Sequence, residues 1–429
     1  MQYIKRLCYL CMLMLFVSCK SAGMLQVSGD GKKSIQRLSS DTLFMNYLKS
    51  KNLPIVAGNQ LTLLTSGEDK FRLLFEDIRK ARHHIHLEYF NFRNDSIGYA
   101  LFSLLSEKAK QGVDVRVIFD DFGNKSNNRP LKKRHLRLLN ERGVEIIQFD
   151  PIAFPYVNHV FSRDHQKIAV IDGLTGYVGG MNVADYYIKG LEEVGEWHDV
   201  HLRIEGPVVK ELQKDFLVMW NKETGQDLLL ETYLPETPET VSDSLSSGRR
   251  VAIVQRVPHS APKIMRQCYI AAIKSARDSV RIINPYFVPP LRIRRALKNA
   301  VQRGVKVEIM IPGKSDIPFT PEAGFYYANK MRKYGAQVYV FNNGFHHSKV
   351  MMIDGLYSTV GSTNLDSRSL RHDYEVNAFV FDKTLTAELD AMFHHDLSYC
   401  KLYTKEQHAD KGVWRRFVGW FAHLFTLLL

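Results

Sequence analysis

A chain of 429 residues, 45% hydrophobic and 24% charged, is too apolar to be disordered and long enough to carry two cores. Its net charge of +13 favours polyanionic partners, whether nucleic acid, an anionic lipid surface or a phosphorylated substrate, and by itself does not choose among them. Of the five cysteines, only Cys268 and Cys400 lie outside the N-terminal segment, and they form no Cys-x-x-Cys ligand set, which argues against a zinc site.

The chain starts MQYIKRLCYLCMLMLFVSCK, with Lys5 and Arg6 ahead of an apolar run from Leu7 to Val17 and then Ser18-Cys19. A bilayer span needs about 20 apolar residues, so this run is short for a span and the right length for a signal-peptide core. A small residue directly before a cysteine resembles a bacterial lipoprotein cleavage site, with Cys19 as the lipidated residue; the alternative is an uncleaved anchor. Either way Lys5 and Arg6 stay inside and the remainder is exported, giving a membrane-associated body in the cell envelope. Residues 20–40 are polar and suit a tether.

From 41 to 230 the pattern is helix, strand, helix, strand: FRLLFEDIRKARHHIHLEYFNF, then IGYALFSLLSEKAKQGVDVRVIFDDFG, with a third round in LRLLNERGVEIIQFD. Residues 231–250, rich in Pro, Thr and Ser, read as a linker. From 251 to 412 the same rounds return as IMRQCYIAAIKSARDSVRIINPYFVP, LRIRRALKNAVQRGVKVEIMIPG and ANKMRKYGAQVYVFN. Gly112, Gly143, Gly304 and Gly335 each stop a helix and turn the chain into a strand. The expected fold is α/β: two similar units, each a β-sheet flanked by helices, packed by pseudo-two-fold symmetry. Residues 413–429, VWRRFVGWFAHLFTLLL, are too short to span a bilayer and fit either an interfacial aromatic helix or a terminal helix docked on the protein's own core.

The internal repeat extends to chemistry. HQKIAVID at 165–172 and HHSKVMMID at 346–354 share the pattern H-x-K-x4-D, and both run on to a Gly-[GS]-x-Asn ending at Asn182 and Asn364. His165 and His347 stand 182 residues apart, and Lys167 with Lys349, and Asp172 with Asp354, keep that offset. One such copy is commonly just a solvated strand end; two at one offset are not accounted for by chance.

Two copies brought together place two histidines across one site with two lysines beside them, which is equipment for displacement at a phosphodiester. One neutral histidine attacks phosphorus, and the other protonates the leaving alkoxide and later takes a proton from the incoming alcohol or water. Lys167 and Lys349 neutralise the non-bridging oxygens, and Asn182 and Asn364 add amide donors to the same oxygens. Lysine charge does here what a cation would otherwise do, so no metal or other cofactor is required.

The doubled motif resembles the phospholipase D superfamily over about 70–400, and within it EYFNFRNDSIG, FDDFG, GGMNVADYY, WHDVHLRIEGP, NPYFVP and GSTNLDSRSLRHDYEVN are similar to segments of bacterial cardiolipin synthases. The resemblance implies metal-free phosphatidyl transfer from one phospholipid to the glycerol hydroxyl of phosphatidylglycerol, with His165, by analogy, as nucleophile. The chain departs from that family in its single short apolar segment and at Arg371 and His372.

A nucleophilic imidazole needs a carboxylate on its other nitrogen. Asp172 and Asp354 belong to the motif but lie about five residues, roughly 16 Å, along a strand from the lysines, which points to a structural role. Asp199 in EWHDV and Glu375 in HDYEVN, a short distance downstream of each motif, are the better orienting groups; His346 faces away and His198 is structural or at the substrate's edge. The expected partners are a phospholipid, with phosphatidylglycerol first, and a membrane surface. No nucleic acid is expected. The alternative activity is a phospholipase D or another phosphodiesterase, a nuclease included, that uses water as acceptor.

Overall fold

The computed structural model describes residues 38–151, 162–235, 248–317 and 320–422. Cys19 and the rest of the signal-like segment lie outside the described residues, as do most of the tether, residues 236–247 of the linker and the last seven of the tail.

Residues from Ser39 onward form one compact unit. Among the described residues its strands make a fifteen-stranded sheet whose order is a palindrome. From the middle outward, the first half runs Val56–Leu64, His201–Glu205, Thr175–Gly179, Lys167–Ile171, His84–Tyr89, Asp114–Asp120 and Glu145–Phe149. The second half runs Arg249–Arg256, Glu375–Phe381, Tyr357–Gly361, Val350–Ile353, Ser279–Ile283, Lys306–Pro312 and Gln337–Phe341, with Cys400–Leu402 added at the edge. Both halves mix parallel pairs on the helix-connected strands with antiparallel pairs around the H-x-K strand. The two series meet where Val56–Leu64 pairs with Arg249–Arg256.

Each half covers its outer sheet face with amphipathic helices. In the first half Phe71, Leu74 and Ile78 of one helix and Leu101 and Leu105 of the next pack over Ile85, Leu87, Val115 and Val117. In the second half Met265, Tyr269, Ile273, Ile293 and Leu297 cover Val280, Ile282, Val307 and Ile309. The inner faces bury each other. Ile168, Val170, Val178 and Leu202 share one cluster with Val350, Met352, Val360 and Val376. Both sheet faces are therefore apolar, which is why the strands read as continuous hydrophobic runs rather than alternating ones. Gly112, Gly143, Gly304 and Gly335 all have φ between +86° and +99°, the left-handed turn expected of a helix C-terminus.

Two boundaries differ from the sequence reading. The first helix, Ser40–Lys49, was expected to open the first half, yet Phe44 stacks on Tyr357 at 5.2 Å and against Phe379 at 5.1 Å, both in the second half. Its apolar face finds an uncovered part of the second core, a distant partner that local periodicity does not reveal. The stretch from 231 was expected to be linker, but Tyr233 is buried and meets Asp114 and Arg116, so the first half extends to it.

The helix Gly412–Ala422 docks through Gly419, where an added Cβ would sit 2.5 Å from the carbonyl oxygen of Glu322. Its other face leaves Val413 and Trp414 about three-quarters exposed, with Phe417, Trp420 and Phe421 about half exposed. Among the described residues no helix is long and apolar enough to cross a membrane.

Candidate active site

Each H-x-K segment precedes or opens an inner strand, so its histidine sits in the approach to the strand while the strand itself is buried. His165 stands two residues before Lys167, which opens the strand Lys167–Ile171, and His347 stands in the bend before Val350–Ile353. Both segments are held by the opposite half. His165 donates its backbone N–H to Tyr374, and Tyr374 donates back to Arg163; His347 donates to His198, and Phe345 donates to Glu196. The pairing of Phe345–His346 with Trp197–His198 is a small parallel ladder between the halves.

This threading decides the orienting groups. Glu375, from the second half, accepts from Nδ1 of His165 at 3.1 Å. Asp199, from the first half, accepts from Nδ1 of His347 at 2.7 Å. Sequence order placed each carboxylate downstream of one motif, and the structure gives each to the histidine of the other. Both carboxylates are buried. The Gly-[GS] position explains itself here: a Cβ on Gly180 would lie 2.1 Å from an Asp199 oxygen, whereas the matching Ser362 donates its hydroxyl to Glu375.

The four basic groups share one buried space. Burial, with the charges of Lys167, Lys349 and His347, holds His165 well below its ordinary pKa, so its imidazole is neutral. Burial also lowers Lys167 to about 7 and Lys349 to about 8. Burial pushes Glu375 up to about 7, with Lys167 and Ser362 opposing the rise. The Lys349 ammonium lies against its own histidine, 2.7 Å from Nδ1 and 3.0 Å from Nε2, whereas Nε2 of His165 meets no protein partner among the described residues. Phe90 packs on His165, and Trp197, Tyr286 and Phe345 surround His347, making an aromatic wall beside the imidazoles. Asn182 and Asn364 are buried, and their side-chain oxygens have no partner among the described residues.

The motif aspartates sit elsewhere. Asp172 and Asp354 adopt left-handed φ of 55° and 54° at the far ends of their strands. The Asp172 carboxylate accepts from the backbone N–H of Arg82, His83 and His84, and that of Asp354 from Arg277, Asp278 and Ser279. They staple the helix-to-strand turn and are not part of the reacting centre. Asp172→Ala and Asp354→Ala should each destabilise the fold by about 2 kcal/mol or more, with Asn costing less because its amide oxygen still accepts. Thermal unfolding checks this; an unchanged Tm with lost activity would return them to the chemistry. His346 turns away to Asp396, and His198 bonds the Asn343 carbonyl.

A family model described as cardiolipin synthase, PLD-like domain, matches residues 74–220 and 269–397, one stretch in each half. The chain belongs to this phospholipase D-like family. It is 35% identical to the major cardiolipin synthase of Bacillus subtilis (strain 168), over 91% of this chain and 80% of that one. It is 37% identical to a cardiolipin synthase of Geobacillus sp. (strain WCH70), over 88% of this chain and 74% of that one. Among solved structures, phosphatidylserine synthase of Haemophilus influenzae covers 91% of this chain and all of its own, with a TM-score of 0.67 at 16% identity, a likeness of fold.

Residue-by-residue reading of the family motif finds the histidines and lysines but passes over Lys70 and Ser362. Lys70 is wholly buried, donates to the Asn182 carbonyl at 3.2 Å and lies over the rings of Phe71 and Tyr89. Its one sequence sign was a lysine in an otherwise apolar position of the helix Gly67–Lys80. Ser362 was visible as the serine of the Gly-[GS] pair, with nothing local to say what it would touch.

Proposed function

We propose that the protein is a phosphatidyltransferase of the cardiolipin synthase type, which makes cardiolipin from phosphatidylglycerol through a phosphohistidine. The observation that carries this reading is the exchanged pair of histidine–carboxylate contacts, which unites two H-x-K segments in one site.

With Nδ1–H held by Glu375, the free Nε2 of His165 attacks phosphorus of the donor lipid. The P–O bond to the headgroup glycerol breaks, and protonated His347 gives that oxygen its proton. A second phosphatidylglycerol replaces the freed glycerol; neutral His347 takes its hydroxyl proton, and its oxygen displaces His165. Asp199 stabilises the His347 imidazolium in both passes. Lys167 and Lys349 carry the charge on the non-bridging oxygens, and the aromatic wall disfavours water as acceptor. The test is the product from labelled phosphatidylglycerol: cardiolipin and glycerol support transfer, and phosphatidic acid alone would assign the protein to hydrolysis.

His347 and the two lysines together set the alkaline limb. His347 must be protonated to act as acid, and burial holds it below its ordinary value. Lys167 and Lys349 must be protonated to hold the phosphoryl oxygens. So kcat/KM should begin to fall below the ordinary histidine range and fall further past about 7 to 8, where the lysines lose their protons in the free site. The acid limb should lie well below pH 6.5, because His165 stays neutral until then. Lys167→Met or Lys349→Met should cost about 10²-fold or more, with activity in wild type persisting in EDTA. An alkaline limb unmoved by Lys167→Arg, whose charge does not titrate in this range, would show that the lysines do not set it.

A membrane surface is the matching partner. The exposed aromatic face of Gly412–Ala422, beside Arg415 and Arg416, suits an interfacial helix on anionic lipid. Trp414→Ala combined with Phe417→Ala should weaken sedimentation with phosphatidylglycerol vesicles by about tenfold; equal sedimentation would remove the helix from the interface. We also propose export and lipid attachment at Cys19, for which loss of lipid labelling in Cys19→Ala is the measurement.

A further inference from the structure

Four arginines gather on the active-site end of the second half, beside Glu375. Arg256 faces Glu375 across the strand pair and is wholly buried. One of its guanidinium nitrogens donates to the Asp373 carbonyl, while Nε and Nη2 have no partner among the described residues. Arg266, in the first turn of the helix Ile264–Ser275, has a buried Nε that is likewise unpartnered. Burial and the nearby charges of Arg371 and Arg292 push its guanidinium below the usual range. Arg292 opens the helix Leu291–Gln302, and Arg371 closes the short helix Ser367–Arg371. His372 lies near the carboxylate of Asp373 and the guanidinium groups of Arg256, Arg371 and Arg368.

The carboxylates of Glu375 and Asp373 favour the charge of Arg256, yet leaving its Nε and Nη2 and the Nε of Arg266 buried without a hydrogen-bond partner among the described residues is costly. No carboxylate pairs with Arg266, Arg292 or Arg371 among the described residues. The two longer helices start here without side-chain caps, so their free N–H groups add positive potential to the same place. Among the described residues the first half has no such cluster. Counting back from the equivalent Arg82 and Arg277, Arg266 falls where the first half has Phe71, a core residue.

We propose that this cluster is a second phosphate site, which holds the phosphodiester of the acceptor phosphatidylglycerol while its glycerol hydroxyl attacks the phosphohistidine. The inference rests on the transfer reading above. Transfer between two like lipids brings two phosphodiesters to one centre, joined through a short glycerol tether in the product. The histidines and lysines serve the one that reacts, and the other needs a cationic cradle close by. Arg256 is placed for this, since its strand neighbour Glu375 holds His165. A site present in one half alone also gives donor and acceptor different places in an otherwise two-fold centre.

The experiment quantifies cardiolipin and phosphatidic acid from the same vesicle reactions with full-length wild type, Arg371→Gln, and Arg266→Gln with Arg371→Gln. The ratio of cardiolipin to phosphatidic acid should fall about tenfold or more in the double variant, and in the same direction in the exposed, fold-neutral Arg371→Gln. Lysine at both positions should restore most of it, since charge is kept. An unchanged ratio in both Gln variants overturns the proposal. A wild type that makes only phosphatidic acid overturns the transfer reading instead, and is seen without any variant. A second arm adds inorganic phosphate. Inhibition of wild type that weakens in the variants, together with the altered ratio, supports a phosphate site used by lipid; weakened inhibition with an unchanged ratio means a free-phosphate site and overturns the lipid assignment.

Discussion

Replacing either His165 or His347 with alanine is expected to lower phosphatidyl transfer by about 10⁴-fold or more, with the double variant little worse than either single one. The reason is that neither imidazole can act for the other. His165 has a free Nε2 and a buried carboxylate on Nδ1, the state of a nucleophile, and without it no covalent intermediate forms. Without His347 the leaving alkoxide is unprotonated and the incoming hydroxyl keeps its proton. Steady-state turnover measures the loss, and trapping the phosphoenzyme separates the roles. His347→Ala should still accumulate phosphoenzyme from a donor with a good leaving group, and His165→Ala should not. Label mapped to His347 would reverse the two roles, and near-wild-type turnover in either single variant would remove the two-histidine site altogether.

The second large effect crosses the halves. Asp199→Asn should impair the acid/base steps of His347, and Glu375→Gln should impair attack by His165, each by about 10²- to 10⁴-fold. An amide of the same shape keeps the packing but no longer favours the Nδ1–H tautomer or the imidazolium. Double-mutant cycles make the crossing measurable. Glu375→Gln should add little in the His165→Ala background, and Asp199→Asn should add little in the His347→Ala background, because each pair acts as a unit. Coupling that instead joined Asp199 to His165 would mean that the carboxylates serve their own half. Gly180→Ser is a further check on the same geometry, since a side chain there meets the Asp199 carboxylate.

Much of this protein is legible one residue at a time. The H-x-K-x4-D repeat, the apolar rounds of helix and strand and the four turn glycines are local patterns, and local patterns survive in sequence because period and φ preference act over a few residues. Even Asp172 and Asp354 could be set aside by strand length alone, before their carboxylates were seen on the turns of Arg82–His84 and Arg277–Ser279. The placement of the first helix was not legible, because its amphipathic face states that it needs an apolar partner and not which core supplies it.

By itself, then, the sequence determined the fold class, the doubling, the two histidines and two lysines, and the carboxylates Asp199 and Glu375 as a set. Only the tertiary structure decided which carboxylate meets which imidazole, how far burial lowers the lysines, and that the second half gathers four arginines beside Glu375. These depend on side chains up to 210 residues apart approaching within hydrogen-bond distance. Separation along the chain carries no information on such contacts. They are set when two sheets with apolar inner faces pack against each other, and their edges then thread each histidine past the other half's acid.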